Sequence, residues 1–319
     1  MENKPVISVI IPVKNGSATI EACLKGILSQ TLNNILEIII IDSGSTDGTL
    51  EIIKEFPIQL LQIAPEEFNH GTTRQLGVTK ARGEFVVLTV QDAKPATNNW
   101  LETMYLHFQD KAVMGVCGQQ IVPHDLDKNP LEWFRPYSKP VPRIYQFVPG
   151  EFATLKGKEQ HQHCGWDDVN AMYRMSALIE TPFFETNFAE DALWAKSALN
   201  KGYKLVYDYN SRVYHYHHHS FKFTFTRTYT VLHHTKLFFG YNRWYDNFFK
   251  ELLRIFYRAF VKKHIPEKKF FWISYNISML LAQYSSSLIF KLNALFLGTT
   301  KLEKVHKFWV GKPPQANIK

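Results

Sequence analysis

With 319 residues, 45% of them apolar and 14% aromatic, the chain has material for one large α/β domain with an appendage, or two modest domains, and broad disorder is excluded. Its three cysteines (Cys23, Cys117, Cys164) lack a CxxC spacing, which argues against a disulfide framework or a structural zinc site. The formal charge of +8 gathers at residues 251–319, where twelve Lys and Arg face three Glu on an otherwise near-neutral body, so an anionic partner surface is expected, either nucleic acid or the inner face of a membrane.

The first sixteen residues, MENKPVISVIIPVKNG, lack the basic stretch, long apolar run and cleavage site of a secretory leader, and the chain reads as cytosolic. Residues 6–12, VISVIIP, form a buried strand stopped by Pro12. Ile20, Cys23, Leu24, Ile27 and Leu28 then recur at helical spacing. A second buried strand, LEIIIID over 36–42, runs into the turn SGSTDGT and a helix over 49–56. IQLLQI at 58–63 is a third strand, TRQLGVTKARG a helix that stops at Gly83, and FVVLTV at 85–90 a fourth strand. A helix starts near Asn98, and AVMGVCGQQIV supplies a further strand. Continuous apolar strands alternating with helices imply a parallel sheet covered on both faces. In such sheets ligands bind beyond the carboxyl ends of the strands, where strand order reverses. Asp42 and Asp92 each stand at such an end and can project into one crevice, although aspartate also caps helices and closes turns for purely local reasons.

Residues 123–165 are rich in proline and charge and read as an irregular insertion of acceptor or lid loops. Regular structure returns with DVNAMYRMSALI. Glu190 and Asp191 open a helix that carries Leu193, Trp194 and Leu199 and ends at Gly202, and the strand YKLVYD follows.

Taken in order, SVIIPVKNG, IIIDSGSTDGT, the lone aspartate of QDA, and AED resemble the family 2 glycosyltransferases of GT-A fold over roughly the first 220 residues. FNHGTTRQLGVTKARGEF followed by LTVQDAKP is similar to the rhamnosyltransferase branch, with Gln75 where that branch usually has Asn and Val90 interrupting the usual Thr-Gln-Asp-Ala. The resemblance implies a GT-A domain over 1–220 and a separate C-terminal region over 221–319. It also implies an inverting transfer from a nucleotide-sugar donor, L-rhamnose from dTDP-L-rhamnose, to a saccharide or lipid-linked saccharide acceptor in bacterial surface polysaccharide synthesis. A UDP-hexose or UDP-N-acetylhexosamine donor stays open, as does a catalytically silent scaffold.

Such a donor leaves as a diphosphate, whose charge Mg²⁺ or Mn²⁺ can stabilise through carboxylate ligands. By the resemblance Asp92 matches the second aspartate of the family's Asp-x-Asp pair, and Val90 occupies the place of the first. A histidine after the later strand can complete the site: His215 first, His217 second. Alternation along SRVYHYHHHS would put both on one face with His219. The resemblance makes Asp191 the base that takes the acceptor proton, with Glu190 orienting it or binding the acceptor, although acids at a helix start also suit its dipole. Asp42 would accept a hydrogen bond from the donor's pyrimidine, Arg74 would reach its diphosphate or sugar, and Pro12, His70 and Gln91 would complete the donor site. Trp166, beside Asp167 and Asp168, could stack on the acceptor sugar, although tryptophan serves more often as core or rim.

After Ser220 come basic, aromatic helices, with Leu252, Leu253, Phe256 and Phe260 on one face and Arg254, Arg258, Lys262 and Lys263 interleaved. FFWISYNISMLLAQYSSSLIF is too interrupted by polar residues for a membrane span, so peripheral attachment to an anionic leaflet is expected; helices packed on the body are the alternative. No RNP, helix-turn-helix or zinc-finger pattern supports a nucleic-acid partner.

Overall fold

A computed structural model describes residues 6–32, 36–125, 127–132, 141–245, 247–261 and 268–310. The chain divides into two compact units, residues 1–121 with 137–215 and residues 122–136 with 216–319. The division falls a few residues before the expected boundary at 220. The segment 123–165 is not one irregular insertion, because its beginning belongs to the second unit and the rest to the first.

In the first unit the strands are β1 (Ile7–Val13), β2 (Leu36–Asp42), β3 (Gln59–Gln62), β4 (Phe85–Thr89), β5 (Lys94–Pro95), β6 (Val113–Ile121), β7 (Arg143–Tyr145), β8 (Asn170–Arg174) and β9 (Lys204–Tyr214), of which β5 and β7 were not expected. Among the described residues they make one sheet in the order β3-β2-β1-β4-β8-β6-β9-β5, with β7 beside β9. β1 runs parallel to β2 on one side and to β4 on the other, so strand order reverses there. β8 lies antiparallel between β4 and β6, which departs from a wholly parallel sheet. Helices α1 (Ile20–Leu28), α2 (Thr49–Ile53), α3 (His70–Lys80) and α4 (Trp100–Tyr105) follow their strands. α1 buries Ile20, Cys23, Leu24 and Ile27, the stripe its spacing announces, and joins the core with Ile7, Val9, Ile38, Ile40, Val87 and Trp100. α3 lies so close to the sheet that a Cβ on Gly77 would sit 2.5 Å from Ile10. The remaining helices are α5 (Glu151–Thr154), α6 (Gly157–His163), α7 (Met175–Glu180) and α8 (Glu190–Asn200), so the expected irregular segment carries a short strand and two short helices.

The second unit is helical: α9 (Phe221–Phe239), α10 (Phe248–Phe260), α11 (Lys269–Phe296) and α12 (Thr299–Val310). Tyr229, Leu232, Phe290 and Leu302 form one of its cores. Residues 122–136 join it through Leu131, packed with Ala259 and Ile273, and through Asn129, whose side chain exchanges hydrogen bonds with Asn276 at 3.1 and 3.0 Å. Among the described residues no helix is long and apolar enough to cross a membrane. Lys262 and Lys263 lie outside the described residues.

Candidate active site

Asp92 stands just beyond β4, and the end of β9 brings a histidine to it. β9 keeps parallel register with β6 through the pair Ile121 and Tyr214, and the His215 amide extends that pairing by donating to the Ile121 carbonyl at 3.0 Å. His215 Nε2 then lies 3.4 Å from Asp92 Oδ1, while its Nδ1 is 2.7 Å from Gln120 Oε1. The Gln120 amide donates in turn to Asp167. With Nδ1–H directed at a carbonyl oxygen, Nε2 is the His215 nitrogen that faces the carboxylate. A separation of 3.4 Å is long for an N–H···O bond and close to that of neighbouring ligands on one divalent cation. One oxygen and one imidazole nitrogen suit Mn²⁺ well and Mg²⁺ acceptably, so the pair fits the expected metal. β9 ends at Tyr214, so strand alternation does not set the faces of the later histidines. His217 belongs to the second unit, where its ring stacks on His219 with centroids 6.1 Å apart.

The second arm is the start of α8. Its N-cap, Ala189, takes the left-handed conformation at φ 62°, an uncommon choice for a residue with a Cβ and one held here by its surroundings. Glu190 is buried and its Oε1 lies 2.8 Å from Arg74 Nη1 and 3.9 Å from His70 Nδ1. Arg74 Nε is also 3.3 Å from Asp168 Oδ2, Tyr173 donates its hydroxyl to Asp168, and Trp166 Nε1 donates to Tyr173 at 2.6 Å. One guanidinium therefore serves several acids. Burial above all, then the charges of Glu190, Asp168 and Asp167, push the Asp191 carboxyl well above the usual aspartate range. Burial likewise raises Asp168, against the pull of Arg74. Among these acids Glu190 and Asp168 are buried, while Asp191 and Asp167 are left partly exposed. Asp167 links the arms: it receives Gln120, which holds His215 beside Asp92, and its charge bears on Asp191.

Other expected site residues are placed differently. Arg74 is only 5% exposed and committed to Glu190 and Asp168, so it orders the acids instead of reaching into a donor site. Trp166, at 4% exposure, packs among Tyr173, Trp194 and Tyr207, which leaves no open face for an acceptor sugar, and Asp168 is buried beneath it. Asp42 is fully buried, its carboxylate accepting from the amides of Gly44 at 3.1 Å and Ser45 at 3.2 Å, which is the turn-closing role open to any aspartate there. Gln91 clamps the backbone of Lys14, accepting from its amide at 2.8 Å and donating to its carbonyl at 3.1 Å. Pro12 pairs with Ile41 in β1, and His70 edges onto Phe68 at the start of α3. Gln120 and Tyr173 were not anticipated. Gln120 carried a legible signal, an apolar strand turning polar at its end; Tyr173, in mid-strand, carried none.

The HGTTRQ stretch acts by docking the loop ahead of α8. Asn69 caps α3 by accepting from Gly71 and Thr72, and its side chain also accepts from the Thr186 amide at 3.3 Å. Gln75 accepts from the Phe183 amide at 3.1 Å, so glutamine supplies the contact at the position where the resemblance has asparagine. Gly71 passes under the Phe184 carbonyl, where a Cβ would meet oxygen at 1.8 Å. Gly71→Ala should therefore displace this loop and with it Glu190 and Asp191. A loss of about 2 kcal/mol or more in urea unfolding is expected, at the scale of overpacked sites; wild-type stability would show that the loop yields freely.

Comparison with known proteins shows the family and the fold. The model of the family described as Glycosyl transferase family 2 matches residues 8–181. The chain is 33% identical over 220 residues to the O-antigen chain rhamnosyltransferase WbaN of Salmonella anatum, covering 66% of each chain. It is 30% identical over 210 residues to the O-antigen chain rhamnosyltransferase RfbN of Salmonella typhimurium, covering 63% of each. The chain thus spans about two thirds of the length of these curated relatives. A mannosyltransferase from Pyrobaculum calidifontis has the same fold, with a TM-score of 0.55 at 16% identity over 99% of this chain and 85% of that one.

Proposed function

Since this chain belongs to glycosyltransferase family 2, we propose that it is an inverting transferase that moves L-rhamnose from dTDP-L-rhamnose to a saccharide acceptor in surface polysaccharide synthesis. The family and the two rhamnosyltransferase relatives support the donor class and the sugar. The observation that carries the mechanism is the link from Asp92 to Asp191 through His215, Gln120 and Asp167. Asp92 and His215 would hold Mg²⁺ or Mn²⁺, which supplies Lewis-acid stabilisation of the departing diphosphate. Asp191 receives the proton of the acceptor hydroxyl as the new bond forms, and its raised pKa makes it a more basic carboxylate than a solvated one. Arg74 fixes Glu190, and Glu190 fixes the first turn of α8 that presents Asp191. One base and no covalent intermediate give inversion at the anomeric carbon.

The test is donor turnover by the full chain with dTDP-L-rhamnose, UDP-glucose and UDP-N-acetylglucosamine, before and after chelation. Release of dTDP that stops on chelation and returns with Mn²⁺ is expected. Preference for a UDP-sugar would overturn the rhamnose assignment, and no turnover of any donor would leave a nucleotide-sugar-binding scaffold.

We further propose that α10 lays this protein, a cytoplasmic one, on the anionic inner leaflet, close to lipid-linked acceptors. Phe249, Leu253, Phe256 and Phe260 recur along one stripe of that helix and are 77%, 69%, 39% and 55% exposed, in the part of the chain that carries the basic excess. Vesicles containing phosphatidylglycerol should co-sediment the protein at low salt and release it at high salt, with loss of binding in Phe249→Ser/Leu253→Ser. Protein left in the supernatant at low salt would refute attachment.

A further inference from the structure

In the second unit three histidines meet between two helices. His233 and His234 are neighbours on α9, His306 comes from α12, and one nitrogen of each lies within 4.8 Å of the others. We propose that His233, His234 and His306 form a binding site for a transition-metal dication, zinc in particular, that clasps α12 to α9.

The hydrogen bonds set the rings for this. His234 Nδ1 is 2.9 Å from the Thr230 carbonyl and can only donate to it, which leaves Nε2 as the basic nitrogen of the neutral ring. The Thr230 hydroxyl spends its one proton on the Thr226 carbonyl at 2.9 Å. Its oxygen must then accept from His306 Nε2, 3.2 Å away, and the basic nitrogen of His306 is Nδ1. A single buried threonine thus orients two imidazoles through their far N–H groups, the arrangement that supports metal-ligating histidine. His233 supplies the third ring. It is 6% exposed, and its Nδ1 is buried with no hydrogen-bond partner, an unusual state for a buried polar atom and one a metal ion would satisfy.

The protonation states agree. Burial, before any other cause, lowers His233 to about 4 and His306 to about 3, and it lowers His234 as well, so all three are neutral and ligand-competent at pH 7. The charges around them are mixed: Glu303 would favour a bound cation, and Lys236 and Lys307 oppose it. An all-imidazole donor set selects zinc, copper or nickel over Mg²⁺ or Ca²⁺, which prefer oxygen ligands. This separates the site from the Asp92–His215 pair. The His233 and His306 rings are stacked, with centroids 4.3 Å apart and planes 7° from parallel. One ion cannot lie in two parallel ring planes, so binding turns one ring out of the stack.

Co²⁺ titration of the untagged, chelator-treated full chain tests this, in a His215→Ala background that removes the other ion-binding pair. Visible ligand-field bands of a four-coordinate ion should develop with one equivalent and be displaced by Zn²⁺. His306→Gln should weaken binding more than about 100-fold, and Thr230→Val, which keeps every imidazole, by about tenfold, the scale of lost second-shell support. Zn²⁺ should raise the melting temperature of the His215→Ala protein and not that of its His306→Gln derivative. Absence of bands, or equal Co²⁺ affinity with Thr230→Val and His306→Gln, would make the trio plain core packing and overturn the site.

Discussion

Asp191→Asn should slow sugar transfer by about 10²–10⁴-fold, the usual contribution of a positioned general base, with donor affinity and melting temperature close to wild type. Asparagine matches the shape of aspartate and can still accept from the Ala192 amide, 2.7 Å from Asp191 Oδ1, so the first turn of α8 is kept. What disappears is the proton acceptor. The substitution also takes one negative charge out of a crowded group of acids, so stability should hold or rise slightly. The pH profile gives a second readout. A base acts deprotonated, and the neighbours of Asp191 raise its pKa, so the rate should climb with pH along a limb that lies above the ordinary aspartate range near 3.8. Asp167→Asn removes one of those neighbouring charges and should move the limb to lower pH. Transfer within a few-fold of wild type in Asp191→Asn would assign the base elsewhere.

The largest effect on stability should come from Arg74→Met, at about 3–5 kcal/mol, the cost of removing one partner from a buried ion pair. Methionine fills much of the space, but Glu190 and Asp168 lose the guanidinium that lies 2.8 and 3.3 Å from them. Arg74→Lys should recover only part of the loss, because an ammonium is a point charge and cannot fork to two acids. The loss should grow with pH. In the wild type the folded pKa of Asp168 is raised from 3.8 to about 7. Its contribution to stability is therefore full below about 3.8 and is lost as pH rises through about 7. Without Arg74 the folded value rises further, so the variant falls increasingly behind as pH climbs through neutrality. Adding Asp168→Asn should return part of the stability. Urea unfolding between pH 5 and 8 measures this, and a pH-independent difference below about 1 kcal/mol, the surface-pair range, would show that the group is effectively solvated.

Local pattern carried the architecture. Runs such as VISVIIP and LEIIIID are buried strands because they are dominated by apolar β-branched side chains on both faces, and the spacing of Ile20, Cys23, Leu24 and Ile27 leaves α1 one way to pack. The positions of Asp92 and Asp191 in the fold were legible for a related reason, since polar groups at the end of an apolar strand or the start of a helix stand out from their surroundings. The antiparallel course of β8 was not legible, because a buried strand reads the same in either direction.

The partners of each charge were decided only by the tertiary structure. His215 was one of several candidates in a histidine run until the register of β9 on β6 brought it to Asp92. Arg74 read as a donor contact and is the buried counter-ion of Glu190 and Asp168; Trp166 read as an acceptor platform and is core. Hydrophobic periodicity records whether a residue meets water, a property of its immediate chain neighbours. The energy of a charge depends on the few ångströms to groups that arrive from as far as 127 residues away along the chain, as Arg258 finds the Leu131 carbonyl, and no local pattern encodes that distance.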